Sequence, residues 1–153
     1  MSIDPAPPSD ALLPEEHHIR CLMDSSLSLF QRYGSLFALR DRGTNSAVLG
    51  LCKALLEDTS SALLRHEIAF VLGQLQNKAW RNADGPRGGH SQMVRHEAAE
   101  AAGAVLDDVE RSKALLEEFV KDSNQVVAES CIVALDIADY WADDAQFQYA
   151  DVA

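Results

Sequence analysis

The sequence predicts an all-α protein built as a short α-solenoid of helical-hairpin repeats, and three observations predict it. Apolar residues recur at intervals of three and four from residue 19 onward, with few alternating β-branched or aromatic runs. The string Arg-His-Glu-X-Ala occurs twice, at residues 65–69 and 95–99. Tyr33, His66, His96 and Glu129 open similar apolar patterns at spacings of 33, 30 and 33 residues, each close to one helix-turn-helix unit.

The elements follow in chain order. Residues 1–18 hold four of the five prolines together with Asp4, Asp10, Glu15 and Glu16, which reads as an acidic linker or tail, expected to be poorly ordered before Leu12. Residues 19–153 read as the repeat domain. Its first repeated helix carries Arg32-Tyr33-Gly34 followed by Leu36, Phe37 and Leu39, and residues 46–57 form an amphipathic partner helix. The second has an apolar stripe at Leu64, Ile68, Val71 and Leu75, and the third carries Ala99 and Ala102 after its motif. Residues 109–120 are again a partner helix, and a fourth, weaker repeat places Ile132, Val133 and Leu135 after Glu129. Between the second and third, residues 77–92 contain Gly85, Pro86, Gly88 and Gly89, so a loop is expected there.

Bulk properties narrow the function. A chain of 153 residues, 47% hydrophobic and 24% charged, suits one globular domain. No apolar run reaches the roughly 18 residues of a membrane helix, and the start has no secretion-signal pattern, so no membrane partner and a cytoplasmic location are expected. The formal charge of −11 repels a phosphate backbone, which argues against nucleic acid and for a cationic partner. Cys21, Cys52 and Cys131 are odd in number and sit beside apolar residues, so free thiols are expected.

The two His-Glu motifs are the candidate chemistry. At about 100° per residue, His66 lies roughly 200° from Leu64, off the core stripe. Ala69, Phe70 and Gly73 share its face, while Ala99, Glu100 and Gly103 share that of His96. Adjacent solenoid helices lie about 8 to 10 Å apart, so the two imidazoles can converge on one ion with Glu67 and Glu97 beside them. Imidazole plus carboxylate without thiolate suits non-haem Fe(II) rather than structural zinc. The competing reading is that each pair is solvated at the start of a surface helix, where an acid favours the helix dipole; both stand on the residues alone. Phe70 and Glu100 take the place of the second histidine of H-E-x-x-H, which excludes a zinc protease of that type. His17, His18 and His90 are expected to be solvated. Tyr33, at the histidine register, and Met93, at the edge of the second motif, are candidates for the mouth of a pocket.

The strings LLRHEIAFVLGQLQ at 63–76 and MVRHEAAEAAGAV at 93–105 resemble the third and fourth His-Glu motifs of the deoxyhypusine hydroxylase family. RYGSLFALRDRG, ESCIVALD and FQYAD are similar to the same family in the same order. The resemblance implies a HEAT-like repeat fold and an iron-dependent monooxygenase acting on the deoxyhypusine side chain of a eukaryotic translation factor, with no catalytic residue beyond the metal ligands. It implies a di-iron centre, with Fe(II) held by two facing halves, to which this chain would bring His66, Glu67, His96 and Glu97. Tyr33, Gly73 and Met93 match positions that would border the substrate channel. The chain then reads as a carboxy-terminal half, its partner an amino-terminal half or a second copy in a homodimer, and the loop at 77–92 replaces a helix of the family's pattern. The alternative is a metal-free repeat scaffold that binds another protein.

Overall fold

The computed structural model describes residues 4–77, 91–104 and 109–142, and among these every regular element is helical. The helices are α1 (Glu15–Met23), α2 (Leu29–Arg42), α3 (Asn45–Glu57), α4 (Ala62–Leu75), α5 (Gln92–Ala104), α6 (Val109–Phe119) and α7 (Gln125–Ala142). α2, α4, α5 and α7 form one row, each packed on the next, while α1 and α3 pack on each other and on that row, and α6 packs against α5 and α7. This is the expected solenoid, with the expected partner helices at α3 and α6. The expected loop at 77–92 lies almost wholly outside the described residues.

Local chemistry sets the helix ends. Ser28 opens α2 with a reciprocal capping box, its hydroxyl accepting from Gln31 N while Gln31 Oε1 accepts from Ser28 N. Thr44 and Ser61 cap α3 and α4 by accepting from Ala47 N and Leu64 N at 3.0 and 3.1 Å. α2 ends at Gly43, whose φ of 57° is left-handed and places its N–H on Leu39 O. The core stripe of α4 is buried at Leu64, Ile68 and Val71, with Leu75 partly buried against the same cluster. Each such side chain contributes roughly 1.5–3 kcal/mol of apolar burial.

α5 is sandwiched between α4 and α7 and is correspondingly built of small residues, with Ala98, Ala99, Ala101, Ala102 and Gly103 buried. A Cβ added at Gly73 would lie 3.1 Å from Ala101 Cα, and one at Gly103 would lie 2.9 Å from Ala134 Cα. Both glycines are therefore explained by close helix approach, and that approach brings the histidine-bearing turns of neighbouring helices into contact.

The amino-terminal segment departs from the expected tail. Helix α1 starts at Glu15, and residues before it lie against α2: Ala6 is buried, Ser9 N donates to Gly34 O at 2.8 Å, and Arg40 bonds both Asp4 oxygens at 3.1 and 3.0 Å. Arg42 donates to the carbonyls of Ala11 and Leu13. This packing buries His18 completely, which corrects the expectation that it is solvated. The three cysteines are free, with Cys52 and Cys131 buried. Among the described residues no helix is long and apolar enough to cross a membrane.

Candidate metal centre

Two of the arginines that precede register residues, Arg32 and Arg95, tie the row together. Arg32, fully buried, donates to Leu22 O, Ser60 Oγ and Asp58 Oδ1 at 2.8, 2.8 and 2.7 Å. Arg95 donates to both oxygens of Asp122 at 2.9 and 3.0 Å. In each case the guanidinium reaches from one row helix to the turn that opens the next. The spacing of the row is thereby fixed beside Tyr33 and His96.

The register residues themselves contact the next helix of the row. Tyr33 Oη donates to Leu63 O at 3.3 Å. Burial, reinforced by the charge of Glu67, pushes its pKa up to about 12, so the phenol stays neutral. His66 Nε2 lies 2.9 Å from Glu97 Oε1. His96 Nδ1 lies 2.6 Å from Ser130 Oγ on α7.

His66 and His96 thus share a neighbourhood. Glu97 is buried between them, with His96 Nε2 at 3.7 Å and the more exposed Glu100 Oε1 at 3.5 Å from that same nitrogen. His96, Glu97 and Glu100 each present a ligand atom, all within 4.8 Å of one another. Glu67 stands close by: burial pushes its carboxyl above the ordinary range, opposed by the charge of His66 and reinforced by those of Asp4 and Glu97. His66 Nδ1 is buried without a hydrogen-bond partner.

The donor set fits a divalent metal. It is nitrogen and carboxylate oxygen without sulfur, the choice of borderline to hard ions. Separations of 3.5 and 3.7 Å exceed those of a good charged hydrogen bond and approach the spacing of two donors bound to one ion at about 2.1 Å each. A carboxylate as buried as Glu97 also needs positive charge beside it.

Of the residues singled out from sequence, His66, His96 and Glu97 come together here, with Glu67 at their edge. Gly73 faces Ala101 across the α4–α5 contact, and Met93 is exposed on the first turn of α5. Two site residues were not singled out as functional. Glu100 stands four residues after His96, a spacing that puts both on one helix face. Ser130 occupies in its repeat the register of Glu97 in the one before, a signal visible only after the repeats are aligned.

No protein-family model matches the chain. Curated relatives do. The chain is 44% identical over 157 residues to deoxyhypusine hydroxylase-B of Oryza sativa subsp. japonica, covering 97% of this chain and 49% of the relative. It is 46% identical over 153 residues to deoxyhypusine hydroxylase of Danio rerio, covering 98% and 48%. The solved structure of human deoxyhypusine hydroxylase in complex with glycerol superposes with a TM-score of 0.81 at 41% identity, covering 91% of this chain and 48% of that one. The chain spans about half the length of the relatives it matches.

Proposed function

This chain belongs to the deoxyhypusine hydroxylase family, and from that premise we propose that it is half of an iron- and dioxygen-dependent hydroxylase that converts deoxyhypusine to hypusine on a eukaryotic translation factor. One observation carries the reading: His66 and His96, on adjacent row helices, both meet the buried Glu97. Relatives named as hydroxylases favour this reading over a metal-free scaffold.

The proposed ligands are His66, Glu67, His96 and Glu97, and Glu100 joins them on its place beside His96 Nε2. Bound iron would supply the activation of dioxygen that inserts an oxygen atom into an unactivated C–H bond. The protein's own share is positioning and charge. His66 and His96 would hold the ion through imidazole nitrogen, and the carboxylates would offset its charge. Tyr33, buried in the core with its Oη on Leu63 O, lies close enough to Glu67 to feel its charge and adds none of its own. Met93 stands exposed at the opening turn of α5, suited to an aliphatic stem. A net charge of −11 favours a substrate side chain that ends in a polyamine. The same charge disfavours a nucleic-acid partner.

Metal content tests the assignment. Protein purified without chelators, alone and co-expressed with an amino-terminal half, should hold iron by elemental analysis in the assembly that completes the site. His66→Ala and His96→Ala should each abolish it, because carboxylates alone hold Fe(II) weakly. His17→Ala and His90→Ala should leave it unchanged. Full iron in both His66→Ala and His96→Ala would show the ligands to be elsewhere.

A further inference from the structure

We infer that Ser130 is a positioning residue that fixes the tautomer of His96, leaving Nε2 as the nitrogen offered to the metal; the inference rests on the proposed role of His96 as a ligand. Ser130 is buried on α7, and its Oγ lies 2.6 Å from Val126 O, one turn back on the same helix, and 2.6 Å from His96 Nδ1. A hydroxyl has one proton to give. We assign that proton to Val126 O, a carbonyl that can only accept, so that towards His96 the oxygen acts as acceptor.

His96 Nδ1 must therefore carry a proton. In a neutral imidazole that leaves Nε2 with a bare lone pair. This lone pair looks towards Glu97 Oε1 at 3.7 Å and Glu100 Oε1 at 3.5 Å. Three acceptors facing one another repel, and a cation among them turns the repulsion into binding. Ligating histidines generally donate their second ring N–H to an acceptor that orients them, and Ser130 is that acceptor here.

The repeat explains why a serine serves at this place. Glu97 receives His66, and one repeat later Ser130 receives His96 at the same register. A carboxylate there would also accept from Nδ1, but would add a negative charge to a cluster that already holds Glu67, Glu97 and Glu100. A serine whose proton is already committed orients the ring without that charge.

Long-range 1H–15N correlation spectra of the metal-free full chain at about pH 8, above the ordinary imidazole range, read the tautomer directly, with His96 assigned by its loss in His96→Gln. The wild type should show Nδ1–H. Ser130→Ala should lose that preference and Ser130→Thr should restore it, with thermal melts confirming that both variants fold. A wild-type Nε2–H tautomer would overturn the inference without recourse to any variant. So would an unchanged pattern in a folded Ser130→Ala.

Metal affinity supplies a second readout: Ser130→Ala should bind Fe(II) or Co(II) roughly 10–100-fold more weakly in the assembly that completes the site, and equal affinity would overturn the positioning role. Absence of metal binding in the wild type, with Nδ1–H intact, would defeat the iron reading while leaving the tautomer lock standing.

Discussion

Arg32 and Asp58 face each other with side chains only 2% and 5% exposed, so removing either partner leaves a buried charge uncompensated. Replacing Arg32 with Met should cost about 3–5 kcal/mol in urea denaturation, far more than an exposed ion pair would. Burial alone would raise the Asp58 carboxyl, but hydrogen bonds from Ser60, Arg32 and Ser61 outweigh it and hold it below its ordinary value. A depressed folded pKa means that the stabilisation is complete above about pH 4, the unfolded value, and is lost as pH falls through the folded value. The difference in Tm between wild type and Asp58→Asn should therefore shrink as pH drops below about 4; a constant gap down to about pH 2 would show that Asp58 does not act through its charge. At this scale the sequence was legible where residues repeat. His66 and His96 stood out because two motifs lie in phase, whereas His18 did not, since its burial depends on residues 4–14 folding back over α2 through Asp4–Arg40 and Ser9–Gly34. That is a non-local contact without a local signature.

α5 is the element on which the site turns, because it carries His96, Glu97 and Glu100 and packs on both α4 and α7. Its existence followed from periodicity, as did α3 and α6 within a residue, while its start at Gln92 takes in the last residue of the expected loop. The role of its glycine did not follow, because sequence shows a small residue without showing what approaches it. A Cβ at Gly103 would meet Ala134 Cβ, Cα and O at 2.8, 2.9 and 3.0 Å, two of the three being backbone atoms that cannot turn aside. At Gly73 the nearest atoms, Ala101 Cα and Cβ, are at 3.1 and 3.2 Å. Alanine gains about 1 kcal/mol of helix propensity over glycine, while overpacking costs typically 1–3 kcal/mol. Gly103→Ala should accordingly be destabilising and the harsher of the two, with Gly73→Ala nearer to neutral, as chemical denaturation would reveal. Because Gly103 sets the distance from α5 to α7, its variant should also weaken the His96–Ser130 bond. Equal stability of the two variants would mean that α7 yields freely and that the row is not a rigid frame.

The described residues form a row of helices backed by α1, α3 and α6, with a cluster of His, Glu and small residues along the row, and the repeat spacing made that architecture readable from the sequence. What spacing could not show is whether one such cluster is a complete catalytic site. This chain offers two imidazoles from its paired motifs, whereas the family resemblance implies four motifs in two facing halves, and the chain spans about half of its relatives. We therefore predict that the 153-residue chain as a strict monomer gives little or no hydroxylation. Activity should appear when a complementary amino-terminal half is supplied, or when a two-fold dimer brings two copies of His66, Glu67, His96 and Glu97 face to face. The test mixes the purified chain with Fe(II), reductant, dioxygen and the deoxyhypusine-bearing factor, and measures hypusine and molecular mass on the same sample. Turnover confined to dimer fractions, or to mixtures containing the second half, supports a site shared between two half-solenoids. Robust turnover by monomer refutes it, since the ligands of one row would then suffice. His96→Ala serves as the control that ties the activity to this row, because contaminating enzyme would survive that substitution and the proposed site would not.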